Sequence, residues 1–405
     1  MKILVVDQFY YPEEFQINDI CAQMVKDGHQ VTVLTGLPNY PTGIIPDEYR
    51  HGKKRDEYVD GVHVIRSFEI PRKKGPIGMS LNYMSFAISG CFKSKKLKGD
   101  YDVIFVYQTS PVTMAYPAEK IARKYKIPVF LYCCDIWPEV VKVMISNENA
   151  VPYRIIKRLS MKLYKGTDLI AVQSKGFFKY FKDIHGIEAE KLRYLPQYAN
   201  DAYADKNFNA EDNNIVDFVF LGNIGIAQDI GGLIDAVYKI KEFNDFKVHL
   251  VGTGSYVDEA KLKVKELGLE DIILFYGRRP YEEMPRFYKL ADVCLATLQA
   301  DSAISLTIPS KVQGYMAAGK PIIAALSGFA KDIINESGSG IGVEPGNIKE
   351  LSEAMKEFIL NKNTDKYIHC GERARQFYNN NFTKEKYMTN LYTILEETIE
   401  KGLER

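Results

Sequence analysis

Lys311 is the residue whose position most invites chemistry. It lies in Ile308-Pro-Ser-Lys-Val-Gln-Gly-Tyr-Met-Ala-Ala-Gly-Lys-Pro321. There Pro309-Ser310 should open a helix that runs to about Ala318 and stops at Gly319, with Ser310 as its N-cap. A cation in the first helical turn opposes the helix dipole. A bound anion would make that placement favourable; otherwise the lysine is an ordinary solvated side chain. Two glycine turns could supply the rest of an anion site. Phe220-Leu-Gly-Asn-Ile-Gly225 and Val251-Gly-Thr-Gly-Ser255 each follow a strand-like run, so Gly222, Gly225 and Gly252 would let the backbone approach a phosphate. Both also read as plain turns.

A second set of residues could handle a hydroxyl. Asp135-Ile-Trp-Pro-Glu139 holds the only tryptophan, Trp137, between two carboxylates. Asp135 should stand at the carboxyl end of a strand, where a carboxylate can accept a hydroxyl proton or hold a sugar. The alternative is a helix cap with Trp137 in the core. Gly36-Leu-Pro-Asn-Tyr-Pro-Thr-Gly43 follows the second strand and carries Asn39 and Tyr40. It reads as a rigid site loop or a structured connector. His29, just before a strand, reads as structural.

The elements that position these residues alternate between short apolar runs and longer helical patterns. KILVV, QVTVLTG, DVIFVYQ, PVFLYCCD and LIAVQS read as buried strands, rich in β-branched and aromatic residues, as a covered parallel sheet requires. A helix is expected from about Gln16 to Asp27. From Pro196 to Asn214 the chain is polar and reads as a linker. The rhythm then restarts with VDFVFLGNIG, a helix from about Ile230 to Phe243, and KVHLVGTGS, IILFYG, VCLATL and PIIAAL. The expected fold is α/β: two doubly wound, Rossmann-like domains, residues 1–200 and 215–382, with the intervening cleft as the default ligand site. Residues 383–403 read as a charged amphipathic helix.

Bulk properties narrow the function. The 405 residues are 46% hydrophobic and 26% charged with a net charge of +1, which suits a globular chain and gives no nucleic-acid signature. The cysteines, Cys21, Cys91, Cys133, Cys134, Cys294 and Cys370, show no zinc spacing and read as reduced core thiols. No metal site is expected. No apolar run reaches the length of a membrane span, and the start lacks a signal-peptide cleavage pattern. The chain is therefore expected in the cytoplasm. Two acid-free basic stretches suggest contact with an anionic membrane surface. One, Ile70–Gly99, carries Arg72, Lys73, Lys74, Lys93, Lys95, Lys96 and Lys98 around an apolar segment. The other, Val151–Gly166, carries Arg154, Lys157, Arg158, Lys162 and Lys165. Either could instead be a core helix with a solvated face.

The ordered set of short motifs resembles the family 4 retaining glycosyltransferases of the GT-B fold. The likeness is greatest to the WbuB-like branch of bacterial O-antigen and capsule enzymes. Its carriers are Tyr10-Tyr-Pro12, Asp27-Gly-His29, Pro38-Asn-Tyr-Pro-Thr-Gly43, Asp135-Ile-Trp-Pro-Glu139, Gly222-Asn-Ile-Gly225, Glu282-Glu-Met-Pro285 with Ala291-Asp292, and Pro309-Ser-Lys311 with Tyr315-Met-Ala-Ala-Gly-Lys-Pro321. The resemblance implies that the C-terminal domain holds a nucleotide sugar and the N-terminal domain an acceptor, with the last helix returning to the first domain. It implies no metal or other cofactor, and acceptors that are lipid-linked sugars at the inner face of the cytoplasmic membrane. Residues implied for the donor are Gly222, Asn223, Gly225, Gln228, Gly252, Ser310 and Gly314, with Arg278 and Arg279 as further cations. Lys311 and Asp135 would carry the reaction, and Asn39, Tyr40, Trp137 and Glu139 would meet the acceptor. The chain departs from the family in two respects. Two glutamates separated by seven residues fall here at Leu306 and Gly314, and the family's diphosphate-binding Arg and Lys fall at Asn223 and Gln228.

Two other functions fit two Rossmann-like domains. A UDP-sugar 2-epimerase would act without an acceptor, and a nucleotide-sugar-binding subunit would bind without transferring. A NAD-dependent dehydrogenase fits less well, because no G-x-G-x-x-G follows the first strand.

Overall fold

A computed structural model describes residues 1–405 except 74, 144, 146, 200–202, 204–205, 211–212, 244, 301–305 and 405. Lys74 of the first basic stretch and part of the 196–214 segment therefore lie outside the described residues. The chain divides into two compact units. Unit 1 comprises Met1–Gln173, Phe177–Leu195 and Met388–Arg405; unit 2 comprises Ser174–Gly176 and Pro196–Tyr387.

The first half of the chain runs β1 (Lys2–Val6), α1 (Gln16–Lys26), β2 (Gln30–Thr35), β3 (Asp56–Val59), β4 (Val62–Arg66), α2 (Pro76–Ser94), β5 (Val103–Gln108), α3 (Tyr116–Tyr125), β6 (Val129–Cys133), α4 (Val151–Gly166), β7 (Leu169–Val172), α5 (Gly176–His185) and β8 (Leu192–Tyr194). The strands form one sheet in the order β3-β4-β2-β1-β5-β6-β7-β8. All pairs are parallel except the hairpin β3–β4. Every residue of β5 and β6 is buried, as expected when helices cover both faces. Strand order reverses between β1 and β5, so the chain leaves the sheet in opposite directions there and opens a crevice at the strands' carboxyl ends.

The second half runs β9 (Val216–Leu221), α6 (Ile230–Lys239), β10 (Phe246–Val251), α7 (Val257–Glu266), β11 (Ile273–Gly277), α8 (Met284–Leu290), β12 (Val293–Thr297), α9 (Ser310–Ala317), β13 (Ile322–Ala325), α10 (Gly328–Glu336), β14 (Gly340–Val343), α11 (Ile348–Asn361), α12 (Asp365–Ile368), α13 (Cys370–Asn381) and α14 (Lys384–Leu403). Its parallel sheet has the order β11-β10-β9-β12-β13-β14, with the reversal between β9 and β12. Helix α6 ends near Ile240, earlier than its apolar pattern suggests.

Two features differ from the sequence reading. The 196–214 segment is more than a linker: Tyr203 and Phe208 are buried in the unit 2 core with Tyr288. Two aromatics among many polar residues are enough to anchor it. Ser310 is not the cap of α9; Pro309 holds that position in extended backbone and Ser310 is the first helical residue. The described part of α14 from Met388 onward belongs to unit 1. Tyr392 donates to Asp27 Oδ2 at 2.5 Å, and Glu397 pairs with Arg193. His29 is structural, its Nδ1 3.1 Å from the N-terminal amine and its ring beside Tyr392.

Candidate active site

In unit 2 the site grows from the strand ends flanking the reversal. The turns after β9 and β10 lie against each other. Gly222 N–H donates to Val251 O and Ile224 N–H to Thr253 O, both at 2.9 Å. The approach is so close that a Cβ on Gly252, whose φ is +150°, would stand 1.7 Å from Gly222 O; only glycine fits there. Gln228 closes the turn: its Oε1 accepts from Asn223 Nδ2 at 2.9 Å and from Gly225 N–H at 3.1 Å. The amides of residues 222, 224 and 225 thus donate within the turn, and Asn223 N–H is left without a partner among the described residues.

The charge comes from α9. Lys311 Nζ is buried, has no hydrogen-bond partner among the described residues, and stands 3.5 Å from the centroid of the Phe220 ring. It lies 3.5 Å from where a Cβ of Gly222 would be. Burial alone pushes its pKa down to about 7. An unpaired buried amine is costly, and its position at a glycine turn and a helix N-terminus is where an anion offsets that cost. Tyr315, one turn further on, pins the helix. Its hydroxyl accepts from Leu221 N–H at 3.0 Å and donates to Leu295 O at 3.1 Å, bridging β9 and β12 beyond their paired residues. Gly314 is buried, and a Cβ there would stand 3.0 Å from Tyr288 Oη. Lys320, at the far end of the motif, is a tether: its buried amine donates to Ala291 O at 2.7 Å. Arg278 and Arg279 are exposed after the edge strand β11, and Arg279 Nε donates to Tyr276 O at 3.0 Å.

In unit 1 a cavity of ≈ 450 Å³ opens at the strand-order reversal. Its walls come from the ends of β1, β2, β5 and β6 and from α2, with Asp135 and Trp137 on one side and Tyr40, Arg72 and Tyr83 among the others. Asp135 Oδ2 accepts from Ser110 Oγ at 2.5 Å, and Ser110 Oγ accepts from Trp137 Nε1 at 3.2 Å. Burial raises the Asp135 pKa, and the Ser110 bond pulls it partly back. Phe9, Phe15 and Tyr40 form a ring cluster with centroids 5.1–5.6 Å apart.

Two expected acceptor residues do not reach the cavity wall. Asn39 is buried; its side chain donates to Leu37 O and Glu69 Oε1 and accepts from Arg72 N–H. It shapes the loop that carries Tyr40. Glu139 accepts from Tyr153 and Tyr180 hydroxyls and pairs with Lys142, so its carboxylate is already satisfied. The sequence reading missed Ser110, Phe9, Tyr83 and Tyr315. The first two follow strands directly, at the carboxyl ends where open sheets bind ligands. Glu13 and Glu69 were missed too. Burial raises their pKa values to about 7 and about 8. Glu13 accepts from the Asn39 and Tyr40 amides, and Glu69 from Gln8, Asn39 and Asn82. Gly36 has no side chain where the Glu69 carboxylate presses, 1.7 Å from an added Cβ.

Two Rossmann-like units in tandem, each with a strand-order reversal in its sheet, define a GT-B architecture. Family models match both: glycosyl transferase 4-like domain over residues 14–197 and glycosyl transferases group 1 over residues 201–377. The chain belongs to this glycosyltransferase family. It is 26% identical over 296 residues to the probable glycosyltransferase WbjE of Pseudomonas aeruginosa, covering 69% of this chain and 71% of that protein. It is 22% identical over 386 residues to the putative colanic acid biosynthesis glycosyl transferase WcaI of Escherichia coli K12, covering 89% and 92%. Among solved structures, HepE of Anabaena in complex with UDP superposes with a TM-score of 0.72 at 17% identity, covering 98% of this chain and 100% of that one. At that identity the likeness is one of fold.

Proposed function

We propose that the chain moves a sugar, with retained anomeric configuration, from a nucleotide-diphosphate sugar held by unit 2 to a hydroxyl of a lipid-linked glycan held in the unit 1 cavity, in the synthesis of a bacterial surface polysaccharide. The observation that carries this reading is Lys311: a buried amine, without a hydrogen-bond partner among the described residues, between Phe220 and a glycine turn. The bond from the anomeric carbon to the diphosphate breaks, the acceptor oxygen forms the new bond, and the hydroxyl proton leaves to Asp135. Lys311 and the N-terminus of α9 hold the charge that develops on the departing diphosphate. The names of related proteins support the pathway: colanic acid biosynthesis for WcaI, and the lipopolysaccharide outer core for the structurally similar galactosyltransferase WaaB. HepE was solved with UDP and with UDP-glucose, which favours a uridine donor. The Asp135 cavity favours transfer over acceptor-free epimerisation.

The test is a thermal-shift panel of nucleotides and nucleotide sugars. A ligand at about 100 times its dissociation constant should stabilise the fold by about 2.7 kcal/mol. A panel in which no nucleotide raises Tm contradicts the reading.

The membrane partner has its own support. No described helix is long and apolar enough to cross a membrane. Yet α2 exposes Ile77, Leu81, Met84, Ile88 and Phe92, a continuous apolar stripe at helical spacing. Lys73, Lys95, Lys96 and Lys98 are exposed around it. Helix α4, which like α2 packs on α3, exposes Val151 and Ile155 among Arg154, Arg158 and Lys162. We read this face as one that docks on anionic lipid. The protein should float with phosphatidylglycerol vesicles, and Leu81→Glu with Ile88→Glu should abolish flotation. Wild-type protein that stays at the bottom of the gradient at every salt concentration contradicts docking.

A further inference from the structure

The wall of the unit 1 cavity rests on a buried acid that the transfer step does not use. Glu69 follows β4 and is fully buried. Its two oxygens have different surroundings. Oε1 accepts from Gln8 Nε2 at 2.8 Å, Asn39 Nδ2 at 3.1 Å and Asn82 Nδ2 at 2.5 Å. Oε2 is buried and has no hydrogen-bond partner among the described residues. It lies 1.7 Å from where a Cβ of Gly36 would stand, and Gln8 O lies 2.9 Å from the same point. Two oxygens thus share the space that a side chain at 36 would fill. A bare carboxylate oxygen and a carbonyl oxygen repel each other there, and a proton on Oε2 removes the repulsion. One oxygen that only accepts and another that holds a hydrogen is the pattern of a carboxylic acid.

The surrounding charges point the same way. The end of β1 brings two more carboxyls, Asp7 and Glu13, and Asp7 Oδ2 also has no partner among the described residues. Arg66, at the end of β4, is committed to Glu57, Tyr11 O and Gly36 O. Arg72 turns its guanidinium to the Tyr40 and Tyr83 rings. From β2 and α2 come the neutral amides of Asn39 and Asn82, and Tyr83, whose pKa burial raises. Asp135 on the cavity wall is a further acid. A negative charge on Glu69 would therefore be buried without a cation of its own, which is costly. Burial and the nearby Glu13 push its pKa up to about 8 against the pull of the three amides.

We infer that Glu69 is a proton latch: as the neutral acid it ties the segments after β1, β2 and β4 to α2, and loss of its proton loosens the cavity wall that these segments carry. The wall residues on them are Phe9, Tyr40 and Arg72. Glu13 makes a second tie between the first two segments by accepting from the Asn39 and Tyr40 amides. The cavity is thus well formed when Glu69 is neutral and looser in mildly alkaline solution. The latch regulates the acceptor site proposed above, and rests on that reading only for its effect on transfer.

Trp137 is the only tryptophan and lines the cavity, so its emission reads unit 1 in the full chain without any substrate. Glu69→Gln is the locked latch: it keeps an accepting oxygen and carries hydrogens in place of the proton. The sign follows from linkage. The unfolded acid ionises first, so from the ordinary carboxylate range up to about 8 wild-type unit 1 loses stability as pH rises, and above that the loss is complete. Glu69→Gln has no such loss. Its Tm from Trp137 emission should match wild type or exceed it at pH 6, and its lead should grow by about 5 °C by pH 9. Acrylamide quenching of Trp137 should increase over the same pH range in wild type and stay level in Glu69→Gln. Equal pH dependence of Tm in the two proteins overturns the latch, as does a Glu69→Gln that is unfolded or more quenched at pH 6. Loss of the pH dependence in Glu13→Gln but not in Glu69→Gln also overturns it. In wild type labelled with ¹³C-glutamate, the carboxyl resonance missing from Glu69→Gln should titrate above pH 7; titration in the ordinary carboxylate range overturns the latch independently of either variant. No nucleotide or acceptor is present, so the latch and the glycosyl-transfer reading can fail separately.

Discussion

Lys311→Ala is expected to lower turnover by about 10²–10³-fold, the loss of roughly 2–4 kcal/mol that accompanies removal of one preorganised charge donor. The amine is already in place: buried, over Phe220, beside Gly222, in the first turn of α9. Nothing needs to reorganise when negative charge develops on the diphosphate. Lys311→Met separates charge from packing, because it keeps the stem and removes the amine. It should be as inactive as the alanine variant and more stable, since an unpaired buried amine costs stability. The pH dependence has a definite sign. With its pKa pushed down to about 7 in the free protein, the amine loses its proton as pH rises through that value, and the neutral form grips a diphosphate poorly. Donor kcat/KM should therefore fall above about pH 7, and this limb should be absent in Lys311→Met. Folding stability follows the same group. Its unfolded pKa is the higher, so between about 7 and the usual lysine range stability rises with pH. Near-normal turnover in either variant removes Lys311 from the mechanism.

Asp135→Asn is the second large effect. It keeps the shape and the bond to Ser110 but cannot take a proton. A general base contributes about 10²–10⁴-fold, so kcat in single-turnover transfer at saturating acceptor should fall within that range while acceptor KM changes little. A rise in KM with unchanged kcat would leave Asp135 a purely positioning role. Ser110 supplies an independent check. Its hydroxyl bond lowers an Asp135 pKa that burial raises. Ser110→Ala should thus raise that pKa further and move the acidic limb of kcat to higher pH. An unmoved limb would mean that another group titrates there.

Much of this was legible in the sequence, for identifiable reasons. Strands buried on both faces, such as Val103–Gln108 and Val129–Cys133, stand out as continuous apolar runs. Helix α1 ends at Gly28, whose φ of +88° suits the left-handed stop. The hairpin β3–β4 is harder to see, because Asp56–Val59 is a half-exposed edge strand with little apolar pattern. Its signal is Asp60-Gly61, both at positive φ, the two-residue turn that suits tight hairpins. Site residues divide in the same way. Asp135 and Lys311 stand out in sequence because one follows a strand directly and the other opens a helix. Glu139 and Lys320 look equally chemical in sequence, but tertiary partners satisfy them: Tyr153, Tyr180 and Lys142 for the first, Ala291 O for the second.

The Tyr315 hydroxyl bonds have a consequence for how such an enzyme can change its donor. They anchor α9 through main-chain atoms of Leu221 and Leu295, which every sequence of this fold possesses. The lysine one turn earlier is therefore indexed to the backbone and not to its neighbours. Position 314 lies between the two, facing Tyr288, and contributes to neither bond. The helix thus combines a backbone-anchored first turn with a tightly packed position at 314. A side chain at 314 would press on Tyr288, so this position can change only together with that neighbour, while both Tyr315 bonds stay as they are.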